Sequence, residues 1–273
     1  MIKRYKAKSD NTITNSFLED STTRATGSNT GQSDILEIFT IYGQTSALEL
    51  EKARILIKFD LETAKSDRTS GDVPATAKYY LKMFNASHGQ TLPKDYTLEV
   101  CQLGEDWQEG VGLDLENFGD LTYDVRGSNW IKRSGSTNWS TQGGHITGTP
   151  IPVSFPVGNE DLEVDITSMV NPLISSDMLV NYGVMIRLSS SLESQNASYY
   201  TKRFYGRGTN RYFDQPYIEA RWDDSKRDDR GAFYSSSSLA PASDNINTLY
   251  LYNYVRGRLT NIPAIGTGEI YVD

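Results

Sequence analysis

The chain has little of what catalysis, cross-linking or membrane insertion usually draws on. A single cysteine, Cys101, excludes a disulfide within the chain, and its place in the apolar run Thr97–Leu103 predicts a buried, inert thiol. Two histidines, His88 and His145, lie in polar stretches with no nucleophile signature beside them, which reads as surface-loop histidine. No G-x-S-x-G elbow, H-E-x-x-H pair, P-loop or dinucleotide glycine pattern occurs. No apolar stretch approaches the ~18 residues of a membrane span, so no membrane insertion is expected. The opening residues, MIKRYKAKSD, contain no apolar segment of a secretory signal, which predicts folding in a reducing cytoplasm. Positive charge is also short: 27 basic residues against 35 acidic give a net charge of −8, which argues against a nucleic-acid partner. Only residues 1–9 are locally basic, through Lys3, Arg4, Lys6 and Lys8, and they read as an N-terminal tail.

What is present is strand-like. Apolar residues make up only 37% of the chain and tyrosine is abundant at 17, a mix that suits half-buried strands better than a parallel α/β core. Arg54–Leu61 alternates with a period of two, placing Ile55, Ile57, Phe59 and Leu61 on one face. Asp34–Tyr42 is apolar on nearly both faces, and Ala77–Asn85, Tyr96–Leu103, Asp161–Asp165, Tyr182–Leu188, Tyr200–Tyr205 and Tyr217–Trp222 also read as strands, separated by Gly, Pro and Asn turns. One helix is expected, over Ile166–Ser175, with Thr167 as its N-cap and Pro172 limiting its length. The predicted fold is all-β: a jelly-roll-like antiparallel sandwich with long loops over residues 10–224. A polar, serine-rich stretch at 225–245 reads as a linker, and 246–273 as the start of a second β domain, with strands at Asn247–Leu259 and Gly268–Val272.

Three groups of residues carry candidate chemistry. Trp107, Trp130 and Trp139 lie in the Gly- and Ser-rich excursion between Leu103 and Leu162. Indoles stack on the C–H faces of sugars, so these three are glycan-binding candidates; the competing reading has them anchoring the loop to the sandwich. Glu105, Asp106, Glu109, Asp114, Glu116 and Asp120 cluster nearby, enough acids for a glycosidase pair in number but not by any fixed spacing. Asp223, Asp224, Asp228 and Asp229 are weak candidates for a structural calcium, since they lack the spacing of a calcium loop; no other cofactor is expected. Tyr250, Tyr252 and Tyr254 suit a subunit interface or the core of the second domain.

Several motifs occur in a telling order: Trp107-Gln108-Glu109-Gly110, Asn129-Trp130, Trp139-Ser140-Thr141-Gln142-Gly143-Gly144, Val164-Asp165-Ile166-Thr167 and Asn181-Tyr182-Gly183. With the upstream Arg54–Leu61 strand they resemble the DNRLRE-domain family of carbohydrate-binding-module-like sandwiches, over most of residues 10–224. Typical members carry secretion signals, and residues 245–256 lie outside their module. The stretches DNTITNSF, GSNTGQSDILEIF and DNINTLYLYNYVRG are similar to structural proteins of tailed, marine bacteriophages. The resemblances imply a non-enzymatic virion protein of a tail, neck, baseplate or capsid-decorating appendage, assembled in the host cytoplasm. Its partners would be other virion proteins and copies of itself in a symmetric assembly, with a host surface glycan as a further ligand. A carbohydrate-binding module is the alternative, and a polysaccharide-degrading enzyme the third reading.

Overall fold

The computed structural model describes residues 1–260 except 19, 44–47, 90–91, 114–126, 226–227, 234, 236 and 257. The chain divides into two compact units, Met1–Trp222 and Asp223–Asp273.

Among the described residues of the first unit, ten strands join in one antiparallel sheet that folds on itself as a nearly closed sandwich, the all-β architecture that the alternating segments predict. The strands are β1 (Ile2–Thr14), β2 (Ile35–Tyr42), β3 (Leu50–Phe59), β4 (Lys78–Met83), β5 (Tyr96–Leu103), β8 (Ile146–Phe155), β9 (Leu162–Asp165), β10 (Val184–Leu188), β11 (Tyr199–Tyr205) and β12 (Tyr217–Arg221). A small hairpin of β6 (Lys132–Ser134) and β7 (Thr137–Asn138) stands apart from them. The main order is β8-β5-β10-β3-β1-β12-β4-β9, with β2 and β11 branching from β3.

The basic N-terminus is no tail. Residues 2–6 pair with β12, and from Ala7 onward the same strand pairs with β3 on its other edge. The register slips between Ala7 and Ser9, so Lys8 is a bulge at the point where β1 passes from one half of the sheet to the other. Tyr5 is buried and its hydroxyl donates to Asp67 at 2.9 Å. Alternating charge and apolar residues look like a solvated tail in isolation; only pairing on both edges makes them a strand.

Inward residues from both halves of the sheet, among them Leu36, Ile55, Ile57, Tyr79, Leu81, Leu98, Val100 and Ile186, form one core. Near β4 the chain also bonds to β11, through Ala86 N to Arg203 O and Tyr205 N to Phe84 O, both 3.0 Å. Lys202 lies buried at this seam. Its ammonium donates to Asn85 Oδ1, Gly158 O and Glu160 O, and burial lowers its pKa to about 8.

Helices depart from expectation in two ways. Three are present among the described residues where one was predicted: α1 (Leu61–Ser70), α2 (Thr167–Ser175) and α3 (Ser190–Glu193). In α1 only Leu61, Ala64 and Asp67 face inward, too weak an apolar stripe to read from sequence. Its N-cap, Asp60, accepts from Thr63, and Gly71 ends it at φ 85°. In α2 the N-cap position is Ile166, not Thr167. The Thr167 hydroxyl accepts instead from Tyr79 N at 2.8 Å, tying the helix to β4.

Replacing Tyr5 by Ala should cost about 3–5 kcal/mol of stability by urea denaturation, because it empties a filled core site. A change below about 0.5 kcal/mol would fit a tail and contradict the pairing of β1.

Candidate functional site

The three loop tryptophans converge, but not on solvent. Trp107, Trp130 and Trp139 are 6%, 7% and 5% exposed and pack with Ile13, Leu56, Cys101, Leu103 and Met185. Those partners come from β1, β3, β5 and β10, on the face turned away from the main core. Successive residues of a strand point to opposite faces, so Ile55 and Ile57 serve one core while Leu56 serves the other. The indole of Trp107 donates to Tyr182 O at 2.8 Å and that of Trp139 to Asn129 O at 2.9 Å. Buried indoles with satisfied N–H groups are anchors. The glycan-binding expectation for these three is therefore corrected: the sheet has two apolar faces, and the loop needs its tryptophans to cover the second.

Trp130 is also held by charge. Arg54 lies with its guanidinium 4.9 Å from the indole centroid and makes a fork to Glu193 at 2.9 and 2.6 Å. Its remaining nitrogen donates to Gly143 O at 2.7 Å. Both Arg54 and Glu193 are buried, so each compensates the other's lost hydration. Gly143 sits at φ 80° against this pair, and a Cβ there would come within 2.7 Å of the Arg54 guanidinium and 2.8 Å of the Trp130 ring. The W-x-T-x-G-G segment thus closes over an arginine–tryptophan stack.

A second, polar seam joins the same loop to β1. Asn29 donates to Glu109 O and Ser128 O at 2.7 and 2.8 Å, while its carbonyl accepts from Gly31 and Gly112. Asn11 donates to Ser128 and accepts from Thr30 N. Glu109, of the W-x-E-G motif, makes a fork to Arg207 with two bonds of 2.6 Å and accepts from Asp10 N at 2.8 Å. Asp10 accepts from Arg207 N at 2.5 Å. Burial pushes the Asp10 carboxyl up to about 7, against the backbone bond from Arg207, and the Glu109 charge adds to the rise. Apart from the Gly31–Asn29 bond, these pairings join residues 19 or more positions apart, which is why the seam was not foreseen.

The remaining candidates disperse. Glu105 accepts from Ser140 N, and Asp106 pairs with Lys58 at 3.0 Å, so the described acids of that cluster hold the loop in place. Asp114, Glu116 and Asp120 lie outside the described residues. His88 and His145 are both half-buried.

In the second unit, Asp228 accepts from Arg230 N and Tyr250 N, and Asp229 from Thr248 N. Asp223 accepts from Ser225 N. The carboxylates of Asp228 and Asp229 thus tie the expected linker to the stretch after it. Among the described residues no group of three or more potential ligands is placed to hold a metal ion. Short strands β13 (Tyr254–Val255) and β14 (Arg258–Leu259) pair as a hairpin, while the strand expected at Gly268–Val272 lies outside the described residues.

Among the described side chains from 223 to 260, not one is buried. Phe233, Leu239, Ile246, Leu251, Tyr254 and Val255 are each at least half exposed, and Leu239 is 96% exposed. Tyr252 is 43% exposed and Tyr250 is half-buried. The reading of Tyr250, Tyr252 and Tyr254 as the core of this unit therefore fails within the described residues, and their apolar surface is open.

No described helix is long and apolar enough to cross a membrane. The chain matches no family model and no curated protein sequence. The fold defines it as a member of the broad class of antiparallel β-sandwich proteins.

Trp139→Ala should lower stability by about 3–5 kcal/mol in chemical denaturation, since it removes an anchor of the second core. The seam gives a pH signature. A carboxyl at about 7 in the folded chain and 3.8 unfolded binds its proton more tightly when folded. Its contribution therefore favours folding increasingly as pH falls from 7 towards 4 and opposes folding above 7. Asp10→Asn keeps an oxygen acceptor without the charge, so its Tm should exceed the parent's at pH 8, and the gap should shrink by pH 5. A gap of equal size at both values would remove Asp10 as the cause.

Proposed function

We propose that this chain is a non-enzymatic structural protein of a tailed-phage virion, acting by subunit assembly in a tail, neck, baseplate or capsid-decorating appendage. The observation that carries the assembly role is the second unit, whose described residues bury no side chain while exposing several large apolar ones. A short segment without a core does not hold a fold by itself and gains stability from a partner's surface. The virion setting is supported by the likeness of the DNTITNSF, GSNTGQSDILEIF and DNINTLYLYNYVRG stretches to phage structural proteins. A reducing host cytoplasm as the place of assembly agrees with the buried lone thiol of Cys101.

In this role the sandwich is a rigid body and the second unit its docking element. Copies of the chain in a ring or shell, together with neighbouring virion proteins, would cover Leu239, Leu251 and Tyr254. The alternative of a sugar-binding module resting on Trp107, Trp130 and Trp139 loses its contact surface, because those rings are buried.

Sedimentation velocity of the full chain should show concentration-dependent association, and Leu239→Asp with Leu251→Asp should abolish it without changing the melting of the sandwich. An antibody to residues 1–222 should decorate a fixed, symmetric position on phage particles. A chain that stays monomeric at all concentrations, together with unlabelled particles, would overturn the proposal.

A further inference from the structure

A side-chain amide, not a carboxylate, faces the amine of Lys202. Lys3, Lys58, Lys65 and Lys82 pair with carboxylates, which hold an ammonium in its charged form. Lys202 is 3% exposed and bonds to three neutral oxygens: Asn85 Oδ1 and Glu160 O at 2.7 Å, and Gly158 O at 3.2 Å. Its nitrogen also lies 5.0 Å from the centroid of the Phe155 ring and 4.9 Å from that of Phe204.

Burial lowers the Lys202 pKa to about 8, so about one chain in ten carries it as a neutral amine at pH 7. A desolvated, neutral lysine is a nucleophile. Its electrophile is already in reach. Asn85 Oδ1 is 2.7 Å away and a C=O bond is about 1.2 Å long, so the amide carbon Cγ lies at most about 4 Å from the amine. Attack needs about 3–3.5 Å, which a small side-chain rotation supplies. Asp161 Oδ1 accepts from Asn85 N at 2.8 Å, which sets a carboxylate beside this amide. The Glu160 carboxylate is taken up by Val157 N and Gly158 N. Asn85 is half-buried and Asp161 exposed, so a small leaving group has a way out to solvent.

We infer that Lys202 and Asn85 join in an intramolecular isopeptide bond, with Asp161 carrying the proton. The Lys202 amine attacks Asn85 Cγ and forms the Nζ–Cγ bond. Asp161 takes one proton from Nζ and returns it to Nδ2; the Cγ–Nδ2 bond breaks and ammonia leaves. No oxidant, reductant or second reactant enters the balance. The reaction runs once per chain, as a maturation step without turnover. The bond links residues 117 positions apart, at the seam where Phe84 and Ala86 bond to β11 and close the sandwich. A cross-link over so long a loop strongly restricts the unfolded chain. It concerns the sandwich alone and does not rest on the assembly role.

The test is intact-mass spectrometry of the purified full chain, followed by protease mapping. The chain should weigh one ammonia less than its sequence, and a branched peptide should join Lys202 to Asn85. Lys202→Met and Asn85→Ala should each keep the full sequence mass and melt about 10 °C or more below the parent. Asp161→Asn retains an oxygen acceptor for Asn85 N but no base, and should slow the ammonia loss about a hundredfold. A parent chain at full sequence mass, with Lys202 and Asn85 in separate peptides, would overturn the bond. Ammonia loss that persists in Lys202→Met would place its source elsewhere and overturn it equally. Loss at the parent's rate in Asp161→Asn would remove Asp161 as proton carrier and overturn the mechanism.

Discussion

β1 belongs to two partners at once, and the closed form of the sandwich depends on that sharing. Its first residues pair with β12 and its later ones with β3, so one continuous strand joins the two halves of the sheet. The Lys8 bulge absorbs the change of direction, since an extra residue bends and twists a strand locally. Tyr5, Asp67 and Lys3 then fasten α1 against the same strand. A fold built this way cannot treat its N-terminus as dispensable.

The second constraint is that the β1-β3-β10-β5 part of the sheet is apolar on both faces. One face meets the opposing strands; the other would lie open to water without the excursion after β5. Three indoles, the Arg54–Glu193 fork and the Asn11–Asn29–Glu109 seam hold that excursion down. The polar groups in the seam are paired with one another, which limits the cost of burying them. At Asp10 the backbone bond from Arg207 does not offset burial, and with the Glu109 charge nearby its carboxyl is held above the ordinary range. The motifs that resemble a carbohydrate-binding family are thus, in this chain, mostly means of attaching a loop.

Open apolar surface lies elsewhere, in the second unit. Its described residues expose large apolar side chains such as Leu239, Leu251 and Tyr254, a surface suited to a neighbouring protein.

Much of this protein was decided by local pattern. Alternation, or an apolar run bounded by turn residues, located eight strands within a few residues, because a strand's side chains point to its two faces in turn wherever it sits in the sheet. The lone, apolar-flanked Cys101 and the weakness of helical periodicity were equally local facts. Which way the aromatic residues point was not. Trp139 and Phe213 both lie in polar stretches, yet one is buried under a loop and the other stands in solvent. That difference comes from what lies opposite each: Leu103 and Met185 on a second apolar sheet face for the first, and no cover for the second. Likewise, Lys3 and Lys8 are the same residue type five positions apart, and only the tertiary structure brings Asp67 to the first and, among the described residues, no carboxylate to the second. Sequence specifies which side chains can alternate, bond or stack; burial and pairing depend on segments tens to hundreds of residues away, which only the folded chain brings together.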